Sequence, residues 1–182
     1  MKYVVRAMKF VSDIRLLILG CWLGSAIFFI GVAQTAFALI SQRDLAGSVV
    51  GANLAILNYA GIAAAILLVL TSFVGTKLVN RFWLWVERFS LVLLGTACAV
   101  GQFVIGSWIA GVRSQIGRPI DELAADDPLR VQFNTLHEYS VWVLMAAMAA
   151  ALIAFFIVSN RKFGTVKTEK ADIYDFSKEF KI

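Results

Sequence analysis

Hydrophobic positions along this chain gather into four long runs separated by short polar breaks. The first covers about residues 14–40 and is interrupted only by Arg15 near its start. The others cover about 49–74, 82–112 and 129–158, with Glu87 and Arg88 a turn and a half into the third. Each run exceeds the roughly 20 residues that a helix rising about 1.5 Å per residue needs to cross about 30 Å of hydrocarbon. A lipid-embedded backbone must satisfy its own polar groups, so an open-chain span of this kind is helical. The pattern predicts an all-α integral membrane protein, a four-transmembrane-helix bundle occupying residues 14–158.

The ends are read differently. Within residues 1–13, Lys2, Arg6, Lys9 and Asp13 recur at steps of three or four, with Tyr3, Val4, Ala7, Met8 and Val11 mostly opposite. This predicts a short amphipathic N-terminal helix lying on the membrane surface; the alternative is a basic flank of the first span. The first run is too long for a cleaved secretory segment, whose apolar region is about 7–15 residues. Asp127-Pro128 has the form of an N-cap followed by proline at the first helical position, so the fourth helix should begin before it enters lipid. Residues 159–182 form a mixed-charge cytoplasmic tail that is expected to lie on the membrane surface or on a partner.

Composition agrees with that pattern. Of 182 residues 60% are hydrophobic, against about 45–50% in soluble domains. Charged residues make up 16% and cluster at the ends of the runs, as the cost of placing charge in hydrocarbon requires. The net charge of +5 does not point to nucleic acid, because the basic residues flank apolar segments instead of covering one face. Lys2, Arg6, Lys9 and Arg15, then Lys77 and Arg81, then Arg161 and Lys162 all fall on one side of the predicted topology. By the positive-inside bias, both termini and the 75–81 link are cytoplasmic, and short loops without a targeting peptide suggest a bacterial cytoplasmic (inner) membrane. Cys21 and Cys98 lie within apolar runs with no CxxC partner, which argues against a disulfide framework or a zinc site.

Small residues suggest how the spans pack. Gly20 and Gly24 form a GxxxG pattern continued by Gly31, and the second span carries Gly51 with Ala55 and Gly61 with Ala65. The third carries Ala97 with Gly101 and Ser107 with Gly111. Such pairs let helices approach closely, and Gly20, Gly24 and Gly101 are the packing candidates. Tryptophans toward span ends read as an aromatic belt. Glu87 is expected to pair with Arg81 or Arg88, and Arg88 to snorkel to the headgroups.

Polar residues inside the spans are unevenly distributed. Gln34 and Thr35, then Asn53, Asn58 and Tyr59, then Gln102 and Ser107, and finally Asn134, His137, Glu138, Tyr139 and Ser140 all belong to the exoplasmic half. The other half reads as Leu, Val, Ala and Phe. Intramembrane polar groups are the default functional candidates, so Gln34, Asn58, Gln102, His137 and Ser140 are expected to line an exoplasmic polar pocket. The competing account is that these groups bond one another and only fix the packing. His137, the one histidine, shares a helix face with Phe133, Ser140 and Leu144. With no HxxxH, CxxC or carboxylate cluster beside it, a structural histidine is expected over a haem or metal ligand, and no metal site, cofactor or catalytic residue is assigned.

Several segments carry a resemblance. Trp22-Leu-Gly24-Ser-Ala-Ile-Phe28-Phe29, Phe37, Leu45-Ala46-Gly47, Arg118-Pro119-Ile120, Asp127-Pro128-Leu129-Arg130 and Phe133-Asn-Thr-Leu136-His137-Glu-Tyr-Ser140 resemble the domain-of-unknown-function family 4149, the transmembrane-protein-205-like group. The resemblance covers about residues 14–158 and implies a four-helix membrane fold with no established reaction. The chain departs from the pattern at Gln34 (often proline), Glu138 (often glycine) and Leu144 (often asparagine). From these readings the expectation is a non-enzymatic accessory or assembly subunit, whose partners are the lipid bilayer and other membrane subunits. The alternative is a small binding or transport module for a metal, haem or lipid, using the exoplasmic pocket.

Overall fold

The computed structural model describes residues 2–73 and 79–161. They form α1 (Lys2–Leu39), α2 (Arg43–Thr71), α3 (Arg81–Ala99), a π-helical turn (Val100–Ile105), α4 (Gly106–Ile116), a 3-10 turn (Ile120–Glu122) and α5 (Pro128–Ser159). The stretch from α3 through the π turn to α4 is one continuous rod, Arg81–Ile116, so the described residues form four helical rods. All four are long and apolar enough to cross a membrane, which makes this a multi-pass membrane protein. The three residues between α1 and α2, Ile40 to Gln42, leave these helices no choice but to run antiparallel as neighbours. α2 then packs on α3, α3 on α5, and α5 closes the ring against α1. One end of the bundle holds the N-terminal part of α1, the end of α2, the start of α3 and the end of α5, and is called the terminal end below. The other holds the α1–α2 turn and the 117–127 segment, and is called the loop end.

The boundaries show which local rules prevail. Residues 2–13 do not form a separate surface helix: they are the first turns of α1, which runs unbroken for 38 residues. Nothing between Lys2 and Leu39 interrupts a helix, since both prolines, Pro119 and Pro128, lie elsewhere. The first loop is likewise shorter than its polarity suggests. α2 already begins at Arg43, with Asp44 in its first turn where the helix dipole favours an acid. α4 runs four residues beyond the expected end at 112 and stops at Gly117, whose φ of 62° few other residues adopt readily. α5 starts where Asp127-Pro128 predicts. The Asp127 carboxylate accepts from the Leu129 N–H at 2.9 Å, and Pro128 occupies the first turn, where its missing N–H costs nothing. The tail beyond Arg161 lies outside the described residues.

The core fills the terminal half of the bundle. Leu19, Trp22 and Ala26 of α1 meet Leu57, Ala65 and Leu68 of α2, and Leu91, Leu94 and Cys98 of α3. α5 contributes a stripe of Ala147, Ala150, Ala151 and Ala154, ending in Val158. The stripe's three- and four-residue steps put these small side chains on one face, so α5 approaches its neighbours closely. A Cβ on Gly61 would lie 2.5 Å from Cys98 Sγ and 2.8 Å from Trp22 Nε1, and one on Gly95 would lie 3.0 Å from Ala65 Cβ.

The GxxxG pattern of α1 is not such a seam. A Cβ on Gly24 or Gly31 would meet nothing within 4 Å, and one on Gly20 would make only ordinary contact with Phe155 at 3.6 Å. The reason is rotational: the buried face of α1 is set by Leu19, Trp22 and Ala26, and Gly20 and Gly24 stand to the side of it. Trp22 is a core residue rather than part of a belt, and its Nε1 donates to the Leu57 carbonyl at 3.1 Å.

Candidate functional site

Two polar assemblies stand at opposite ends of the bundle. At the terminal end Glu87 is wholly buried, and its two carboxylate oxygens accept from Arg15 and from Arg161, whose side chains are 2% and 7% exposed. Arg15 Nη1 also donates to Thr71 Oγ1 at 2.8 Å. Arg88 Nε donates to Ser72 Oγ at 3.0 Å and its Nη2 to the Ser72 carbonyl at 3.1 Å, while the guanidinium lies 4.1 Å from the Phe73 ring centroid. The start of α1, the end of α2, the start of α3 and the end of α5 are thus tied at one level.

Glu87 therefore pairs across the bundle, not with Arg81 or Arg88 as expected. Arg88 is its immediate neighbour in sequence and points away from it on the helix. The terminal half, expected to be dominated by Leu, Val, Ala and Phe, also carries this buried charge network. Its charges come from three separate segments, α1, α3 and the end of α5, and only the fold brings them together. The sequence signals were Arg15, Glu87 and Arg88, charged residues inside apolar runs, but not which of them meet.

At the loop end the packing opens into a cavity of about 1080 Å³. All four rods line it, and so do all five sequence-predicted pocket residues: Gln34, Asn58, Gln102, His137 and Ser140. Local structure explains several of these positions. Gln102 sits in the π turn, where the Gly106 N–H reaches back to the Gly101 carbonyl and one extra residue shifts the register of the rod. Gly101 lets α2 come near, since a Cβ there would lie 3.4 Å from Asn58 Nδ2. His137 stacks on Phe133 with ring centroids 6.5 Å apart and planes 1° from parallel. Among the described residues only Ser140 of the five uses its side chain in a hydrogen bond, donating from Oγ to the His137 carbonyl at 2.9 Å. No side chain of the five bonds another side chain of the five, so apart from the Ser140 O–H their donors and acceptors are left for whatever fills the space.

The cavity mouth carries charges that the sequence reading treated only as loop residues. Arg113 Nη2 stands 3.6 Å from Asp44 Oδ1, and its guanidinium lies 5.6 Å from the Phe133 ring. Arg43 Nε is 3.5 Å from Asp121 Oδ2, and Arg130 Nη1 donates to the Leu123 carbonyl at 2.6 Å. Gly47 makes room for Arg113, because a Cβ at that position would lie 2.5 Å from its Nη2. No signal at the level of single runs could have found this mouth, which joins the start of α2, the end of α4 and the start of α5. Among the described residues no group of three His, Cys, Asp or Glu side chains is placed to hold a metal ion.

Comparison with known proteins places part of this frame. Residues 17–118 match the family described as Domain of unknown function (DUF4149), a stretch reaching from α1 through α4. The Phe133–Ser140 segment, which contributed to the sequence resemblance, lies beyond the matched stretch. No curated protein and no solved structure matches the chain.

Proposed function

We propose that this chain, which belongs to the DUF4149 family, is a non-enzymatic membrane binding module that holds a small molecule in the loop-end cavity. The observation that carries the reading is the convergence of Gln34, Asn58, Gln102, His137 and Ser140 from all four rods, with no side chain bonded to another of the five, on one cavity of about 1080 Å³. That is at or above the roughly 300–1,000 Å³ of ordinary small-molecule sites. Binding, rather than chemistry, suits the lining. It includes the chain's one histidine, and both of its carboxylates, Asp44 and Asp121, stand beside arginines.

The lysine and arginine bias supports a bacterial cytoplasmic membrane with the loop end exoplasmic and both termini cytoplasmic, so the cavity would open outward. The accessory-subunit expectation drew on small size, the lack of a catalytic constellation, a surface N-terminal helix, which is continuous with α1, and the tail, which lies outside the described residues.

The test is to purify the full chain in mild detergent and identify retained small molecules by native mass spectrometry. Gly51→Phe provides the control, because the Gly51 position faces the cavity with open space around it. A retained molecule lost in that variant, with the fold preserved by circular dichroism, is the expected result. A wild-type protein that carries nothing, and instead co-purifies in fixed ratio with other chains, would return the accessory reading.

A further inference from the structure

The cavity's chemistry changes along its depth. At the mouth, three arginines (Arg43, Arg113 and Arg130) face two aspartates (Asp44 and Asp121). The two arginine–aspartate approaches, 3.5 and 3.6 Å, are longer than the roughly 2.7–2.9 Å of a charge-assisted hydrogen bond, so the guanidinium donors are not consumed. Arg130 is aimed by its bond to the Leu123 carbonyl and keeps its other N–H groups. The excess of one positive charge and the forked geometry of guanidinium both suit a phosphate oxyanion. Farther in, the wall turns to Phe29, Leu54, Ile105 and Leu144. A ligand complementary to both zones has an anionic head and a hydrocarbon body.

The side of the cavity between α1 and α5 shows how such a ligand reaches it. Ile30 and Phe37 of α1, and Val141 and Met145 of α5, line the cavity yet remain 38%, 46%, 48% and 50% exposed. Farther down, the same two helices are closed by Ala26, Ala147 and Ala151, at 0%, 1% and 0%. The residues flanking this side are apolar and belong to helices long and apolar enough to cross a membrane, as a lateral opening toward lipid requires.

We propose that the cavity takes a phosphate-headed lipid from the surrounding leaflet, admitted sideways between α1 and α5, with its head held by Arg113 and Arg130. This inference rests on the binding reading above and specifies its ligand. The head stays at the mouth among the arginines while the chain lies through the lateral gap. Polar atoms of Asn134 and His137 stand below the arginines, where a glycerol or phosphate-ester oxygen would come.

The experiment places the full chain in phosphatidylcholine nanodiscs containing phosphatidylglycerol, and reads lipid adducts by native mass spectrometry after mild delipidation. Selective retention of phosphatidylglycerol is expected. Its retention should weaken about tenfold or more in R113Q/R130Q, as loss of charge-assisted hydrogen bonds implies. Val141→Trp, which narrows the gap and leaves the arginines in place, should slow lipid uptake without changing head selectivity. Inorganic phosphate that displaces the lipid completely, and binds equally well in detergent alone, would identify an aqueous anion as the ligand and overturn the lipid source. A cavity that binds an uncharged or water-soluble molecule, lost in Gly51→Phe but indifferent to R113Q/R130Q, would sink this inference and leave the binding reading standing. A cavity that retains nothing under any condition would sink both.

Discussion

The two halves of this bundle use the same four rods to opposite ends. In the terminal half α5 presents alanines, Trp22 is buried on Leu57, and one carboxylate joins two arginines. In the loop half the equivalent faces carry Phe29, Gln34, Phe133, His137 and Ser140, and the rods enclose space instead of one another. Small side chains permit close approach, whereas large and polar ones hold helices apart and keep their polar atoms accessible. The terminal half ties the four rods together, and the loop half leaves a cavity between them. Within a membrane this division has a particular logic. A hollow region gives up packing contacts, which are the main source of helix association there, so the contacts must be concentrated elsewhere.

The comparison is broken most directly at Glu87. Glu87→Gln leaves two buried arginines without their counter-charge and should cost about 3–5 kcal/mol, read as a fall in the unfolding midpoint in a denaturing-detergent titration. A loss below about 1 kcal/mol, the range of surface pairs, would mean the network does not clamp the bundle. Replacing Arg15 and Glu87 together should cost less than the sum of the two single changes, because the partners share one interaction.

Overpacking comes next. Ala151→Leu, in the tightest part of the α5 stripe, should destabilise by about 1–3 kcal/mol, while a substitution of equal size at Gly51 should not. If both cost the same, the two halves do not differ in packing as described.

A smaller effect is expected at Trp22. Trp22→Phe removes the N–H that reaches the Leu57 carbonyl and should cost about 0.5–1.5 kcal/mol.

The smallest stability effect belongs to the cavity. Asn58→Ala removes a side chain with no hydrogen bond among the described residues, so the ligand-free protein should change by less than about 1 kcal/mol. Retention of the bound molecule should fall in the same variant. A large loss of stability without any loss of binding would show that Asn58 belongs to the packing and not to the receptacle.

Much of this was legible beforehand, for identifiable reasons. The four spans follow from apolar runs long enough to cross hydrocarbon. The start of α5 follows from Asp127-Pro128, whose capping chemistry is entirely local. The five pocket residues could be collected because polar groups inside an apolar span are few, and because antiparallel topology fixes which end of each helix shares a level. What could not be read was rotation. Gly20 and Gly24 satisfied a packing pattern, yet α1 turns another face inward, and the unremarked alanines of α5 supply the close contact instead. The π turn at Val100–Ile105 carries no sequence signal either, although it determines where Gln102 points.

The sequence by itself determined the four membrane-spanning runs and the level at which the uncharged polar residues gather, because hydropathy and helical rise act residue by residue. Only the tertiary structure decided that Glu87 meets Arg15 and Arg161, that Arg113 faces Asp44 and Phe133, and that the polar residues surround a cavity rather than bond one another. Those outcomes depend on how four helices rotate and tilt together, and helix rotation is set by the sum of many weak packing contacts that no single segment contains.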